Sequence, residues 1–121
     1  MITIHPEDVL RSKTIEPGLY TLEVKSYKED KDSKSGAALY VFDFVVVDAG
    51  PYQGVPISTQ FSEKAMGFMI PFIQAIGGQV SDKEARTFDP NKFVGKKVKG
   101  NIVNDTYQGR TLNKINGYAP A

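Results

Sequence analysis

Seven cations and three tyrosines are the side chains of this sequence whose types and placement could do chemistry: Lys25, Lys28, Lys34, Lys97, Lys99, Arg110 and Lys114, with Tyr27, Tyr52 and Tyr107 among them. Cations that follow a line of phosphates, combined with rings that stack on bases, hold single-stranded nucleic acid without reading its sequence, each stacked base being worth roughly 1–3 kcal/mol. The net charge of +1 hides an uneven distribution. Residues 1–62 hold 6 Lys/Arg against 9 Asp/Glu, whereas residues 63–121 hold 9 against 5. Within residues 96–118 five cations face a single acid, Asp105, so the potential that would attract an anion concentrates there. The same lysines have a plainer use, since charged side chains on exposed strand edges keep sheets from pairing with one another. Tyr107, beside Gly109, has a loop-packing alternative of the same kind.

Catalytic chemistry has little material. His5 is the only histidine and sits beside Pro6, so a Ser-His-Asp arrangement would have to be built around a surface arm. The carboxylate pairs Glu29/Asp30 and Asp43/Asp48 lack metal-ligand spacing, and neither GxxxxGK[ST] nor GxGxxG occurs. With no cysteine, disulfides and thiolate-bound zinc are excluded. An enzyme is therefore disfavoured, and neither a cofactor nor a metal is expected.

The elements that must position the cations follow from periodicity and punctuation. At 121 residues, 40% apolar and 24% charged, the chain suits one domain with one core. Residues 1–17, with Pro6 and Pro17, predict an arm or short helical lead-in, residues 18–118 the domain proper, and residues 119–121 a short end. In residues 18–27 Tyr20, Leu22 and Val24 alternate with Thr21, Glu23 and Lys25, a half-buried strand whose outer alternation carries Lys25 and Tyr27. Residues 28–36 contain no apolar side chain and close on Ser35-Gly36, which predicts a solvated hairpin loop. Residues 38–47 are strongly β-prone and apolar on both faces, so part of the second face should be covered, and Phe42 and Phe44 read as core. Turn residues then lead to a third strand over 55–61, where Phe61 reads as core and Pro56 must lie at an edge or at the start.

Ser62 can cap a helix over residues 63–76 that Gly77-Gly78 closes. Its apolar side chains surround nearly the whole circumference, so the helix is either deeply buried or shared with a partner. Pro71 predicts a bend or break between itself and Gly67, with two short helical pieces as the alternative. Asp89 and Pro90 open a single helical turn. The last strands are residues 96–104 and 110–118, joined across residues 105–109. An all-β chain of five strands with one helix between the third and fourth has the order of a five-stranded OB-type barrel, a fold that binds single-stranded nucleic acids or sugars in an open groove. The absence of tryptophan makes a sugar platform the weaker choice.

These turns and strand ends also carry a resemblance. Pro17-Gly18-Leu19-Tyr20, Ser33-Lys34-Ser35-Gly36, Tyr52-Gln53-Gly54-Val55-Pro56-Ile57, Val94-Gly95-Lys96-Lys97-Val98, Tyr107-Gln108-Gly109 and Asn113-Lys114-Ile115 together resemble small bacteriophage single-stranded DNA-binding proteins of the OB type, over about residues 16–118. The resemblance implies a protein that coats single-stranded DNA in phage replication or recombination, working in the host-cell cytoplasm. Many such proteins recruit partners through an acidic tail. This sequence has no acid after Asp105, so tail-mediated recruitment is not carried over.

The expectation is thus a sequence-independent single-stranded DNA-binding protein. Lys25, Lys28, Lys34, Lys97, Lys99, Arg110 and Lys114 would meet phosphates, and Tyr27, Tyr52 and Tyr107 would meet bases. The alternative is an OB-fold interaction or structural module that associates, with itself or with another protein, through the apolar helix 63–76 and its Phe68 and Phe72. A small nucleic-acid enzyme is a third reading and would need metal-dependent turnover. No apolar run approaches the roughly 20 residues that span a bilayer, so no membrane partner is expected and the cytoplasm is the natural compartment.

Overall fold

The computed structural model describes residues 1–121. Five strands, β1 (Gly18–Lys31), β2 (Ala38–Val46), β3 (Pro56–Ser62), β4 (Lys97–Tyr107) and β5 (Arg110–Pro120), form one antiparallel sheet in the order β3-β2-β1-β4-β5. Ahead of them lies a short helix, α1 (Pro6–Ser12). Between β3 and β4 come a 3₁₀ segment (Glu63–Met69), the helix α2 (Ile70–Ala75) and a 3₁₀ turn (Pro90–Phe93).

The central strand β1 serves two partners. Its first half pairs with β4, from Gly18↔Ile102 to Glu23↔Lys97, and β2 takes the strand from Leu22↔Val46 onward. Between Val24 and Ser26 the register slips by one residue, a β-bulge at Lys25. A bulge reverses the alternation beyond it. Leu22 and Val24 therefore face the core before the slip, and Tyr27 faces it after. The sequence pattern placed Tyr27 outside, and the extra residue is the reason it is not. Residues 28–31, expected in a loop, continue β1 because they pair with β2 as far as Lys31↔Ala38. That part of the hairpin stands away from the core, so polar side chains on both faces cost nothing.

The core is aromatic and centres on Phe72 of α2. Its ring lies 5.0 Å from Phe42, 5.7 Å from Phe44, and 5.9 Å from both Phe61 and Phe93. Such clusters add specific edge-to-face and offset contacts to the area that they bury. Ser62 caps the 3₁₀ segment, its hydroxyl accepting from the Lys64 N–H at 3.2 Å. The helix is broken as Pro71 requires, with 3₁₀ geometry giving way to α at Ile70, so Pro71 sits in the first turn of α2 where its missing N–H is harmless. A second kink at Ala65 was not expected. Gly77 N–H donates to the Gln74 carbonyl and Gly78 N–H to the Ile73 carbonyl, a Schellman close to α2. Burial splits the helical stretch: Met69, Phe72, Ile73 and Ala75 are inside, whereas Met66, Phe68 and Ile70 are exposed.

Two residues before β1 reach the core. Ile15 is fully buried, and Leu10 of α1 packs against the same cluster. At the far side the sheet curls until Phe61 of β3 and Tyr118 of β5 bring their rings to 6.3 Å, yet β3 and β5 share no ladder. The sheet is therefore not closed into a barrel by hydrogen bonds. Two features keep its edges apart: the Tyr118 ring, wedged against Phe44, Phe61 and Phe72, and a register slip in the β4/β5 pairing beside Gly117.

Candidate nucleic-acid interface

The face of the sheet turned away from the core gathers most of the expected cations. Glu23 of β1 stands directly opposite Lys97 of β4, and Thr21 opposite Lys99. Lys25, thrown outward by the bulge, bonds Glu23 at 2.7 Å. The hydrogen bond and charge of Lys25, with Lys97 beyond, hold the Glu23 carboxyl below its ordinary pKa, so this acid stays ionised between two lysines. Lys28, opposite Val41 of β2, and Lys114, opposite Val103 of β4, lie on the same outer face by register.

Three further acids, Asp30, Asp43 and Asp105, lie on this face by register, and the sheet engages Asp43 across strands. Asp43 of β2 accepts hydrogen bonds from Ser26 of β1, at 2.8 Å, and from Ser58 of β3, tying three strands together. Asp48 accepts the Thr21 N–H at 2.7 Å. Hydroxyl and amide donors absorb part of their negative potential, which leaves Lys97 and Lys99 as outward charges without an ion-pair partner within bonding distance.

Tyr107 and Arg110 are cross-strand partners at the tip of the β4/β5 hairpin, which turns through Gln108 and Gly109, both at positive φ. Positive φ at both central positions is the hairpin turn whose twist suits antiparallel strands. The turn is thus two residues long, because β4 runs on to Tyr107. The Tyr107 ring is 63% exposed and has no aromatic neighbour in the fold. Lys34 lies in the β1/β2 hairpin, where its backbone N–H binds Asp32 Oδ1 at 2.8 Å. That bond and the Ser35 N–H lower the Asp32 pKa. The pairings put Lys34 beyond one end of β1 and the Tyr107/Arg110 tip beyond the other.

Tyr27 and Tyr52 are not on this face. The Tyr27 ring lies 5.1 Å from Phe42 on the core side, where it lines a cleft of about 520 Å³ with Tyr40, Met66 and Phe88. Burial raises its hydroxyl pKa, with Glu29 adding to the shift. Tyr52 meets Tyr20 edge-on at 6.0 Å, near Pro51, whose carbonyl accepts from Lys13 Nζ. Phe72, expected on a shared helix surface, is fully buried, whereas Phe68 is 78% exposed.

Sequence reasoning missed the second cleft, of about 590 Å³, where Gln60 of β3, Phe68, and Lys114 and Asn116 of β5 converge. No local signal marks it, because its walls come from the two edges of the sheet. His5 stands before α1 as its N-cap, its backbone N–H donating to Asp8 Oδ2 at 2.9 Å, and no cluster of three or more His, Cys, Asp or Glu could hold a metal ion. No helix is long and apolar enough to cross a membrane. The chain matches no protein-family model, and no curated protein matches it.

Proposed function

We propose that this protein binds single-stranded DNA without regard to sequence, on the outer face of a curled sheet that is an open variant of the OB-type barrel. The strand order with β1 at the centre, and a helix between β3 and β4, support the OB reading. One observation carries the binding reading: Lys25, Lys97 and Lys99 crowd one patch where β1 meets β4, with Lys28 and Lys114 on the same face. Phosphates follow this line, Lys34 and Arg110 extend it at the two hairpins, and Tyr107 offers its free ring to a base. Protection of single strands in phage replication or recombination is the role this activity would serve.

The test is an anisotropy titration of an unstructured DNA oligonucleotide, the same sequence in RNA, and a DNA duplex, at two salt concentrations. Single-stranded DNA should bind in preference to duplex, and log affinity should fall against log salt by about 0.7 per phosphate contact. Affinity that ignores salt, or a preference for duplex, would sink the proposal. Exposed Met66, Phe68 and Ile70 favour the second reading, an interaction module, which requires self-association or a protein partner lost on their substitution.

A further inference from the structure

We infer that the cleft between the free edges of β3 and β5 is a nucleotide subsite, in which a base of the bound strand stacks on Phe68 while its phosphate meets Lys114. This rests on the single-strand reading above and names a place that the outer-face cations do not. At about 590 Å³ the cleft falls within the roughly 300–1,000 Å³ usual for sites that hold small organic groups. Lys114 is the one charged side chain in its wall, so the charge it presents is purely positive. A nucleotide needs three things of a site: a cation, a flat apolar surface, and donors and acceptors for the edge of the base. Lys114 supplies the first, and the exposed Phe68 ring, whose place in the fold no packing explains, supplies the second. Gln60, Thr59 and Asn116 supply the third, and the unpaired backbone edges of β3 and β5 add to it.

The other cleft serves as a contrast. Its wall carries one charge of each sign, Glu29 and Arg86, the latter bonded to Glu84 at 2.8 Å, and is otherwise mostly apolar, so it presents no net positive charge to a phosphate and little to the edge of a base. Lys114 also joins the two regions, because it lies opposite Val103 on the cationic face and reaches the cleft from β5. A strand running over β4 past Lys97 and Lys99 thus arrives at the open seam.

Two substitutions test the subsite without disturbing the core. Phe68→Ala removes an exposed ring. Gly67→Leu adds bulk at the cleft wall, where a Cβ at Gly67 meets nothing within 4 Å. Binding of labelled oligothymidylate by anisotropy should weaken about tenfold for each, one lost stack, with the salt slope unchanged. Lys114→Ala should weaken binding and flatten that slope by about 0.7. If Lys97→Ala and Lys99→Ala weaken binding while Phe68→Ala and Gly67→Leu leave it at the wild-type value, the subsite is wrong and the outer-face reading stands. If the wild-type protein does not bind oligothymidylate even at low salt, both fall together. If light scattering shows that Phe68→Ala converts a dimer to a monomer with affinity per chain unchanged, the cleft receives a second copy of the chain, which also overturns the subsite.

Discussion

Asn113 holds Ile15 by both of its backbone polar groups: Oδ1 accepts the Ile15 N–H at 2.7 Å, and Nδ2 donates to the Ile15 carbonyl at 2.8 Å. The same amide nitrogen reaches Asn104 Oδ1 at 3.0 Å, across the β4/β5 ladder. One side chain thus acts as a short piece of strand. It fixes the segment before β1 to the base of the hairpin that carries Tyr107 and Arg110, and it seats the Ile15 side chain in the core.

Asn113→Ala should therefore lower stability by about 2 kcal/mol, because two part-buried backbone groups lose their partners. Urea unfolding would measure the loss, and amide exchange at Ile15 should accelerate more than exchange in β2. A change within about 0.5 kcal/mol would mean that water replaces the amide without penalty.

Glu23→Gln should tighten oligonucleotide binding several-fold and steepen its salt dependence. The carboxylate stands between Lys25 and Lys97 and occupies charge that a phosphate would otherwise meet. Weaker binding by this variant in an anisotropy titration would show that Glu23 orients the lysines more than it screens them.

Tyr118 governs an alkaline limit. Burial pushes its pKa up to about 12, partly offset by the nearby Thr59 side chain, which stands short of hydrogen-bonding geometry and so leaves the hydroxyl without a partner. The folded state keeps this proton more tightly than the unfolded chain, whose tyrosines titrate near 10. The associated stability is intact below about pH 10 and is lost as pH rises toward about 12. Tyr118→Phe should remove this part of the pH dependence. At pH 7 it should leave stability unchanged or raise it by up to about 1 kcal/mol, since an unsatisfied buried hydroxyl disappears. Marked destabilisation at pH 7 would mean that the hydroxyl is paired.

Gly100 allows β1 and β4 to close on each other. A Cβ at this position would stand 2.6 Å from Leu22 Cδ1 and 3.3 Å from Ile115 Cγ2, both in the packed core. Gly100→Val should cost about 1–3 kcal/mol in chemical denaturation through overpacking. Wild-type stability would show that Leu22 has room to turn aside.

The number and order of strands, the helix after β3, its Ser62 cap and the break associated with Pro71 are all written in local pattern, and each appears in the fold. Tyr27 shows where such reading stops. A bulge adds a residue without any residue type that announces it, and every side chain beyond it changes sides. Residues 28–31 misled for the opposite reason, since a hairpin beyond the core needs no apolar alternation to remain a strand. On the candidate site, lysines on alternate positions of β4 were readable because regular alternation alone puts Lys97 and Lys99 on one face. Tyr52 was not, because its place depends on Tyr20, which lies 32 residues earlier. The opening between β3 and β5 depends on how far the sheet curls, a property of the whole assembly.

The slip at Lys25 leaves one residue of β1 with no partner on β2. Many side chains would serve at this position, because it faces solvent and its bond to Glu23 is on the surface. A chain lacking it would run on as regular strand, with Ser26 following Val24 opposite Asp43 and Tyr27 still beside Phe42. The extra residue is therefore dispensable to the core, and variants of the protein that omit it should keep the same inward set while losing the outward lysine and its bond to Glu23.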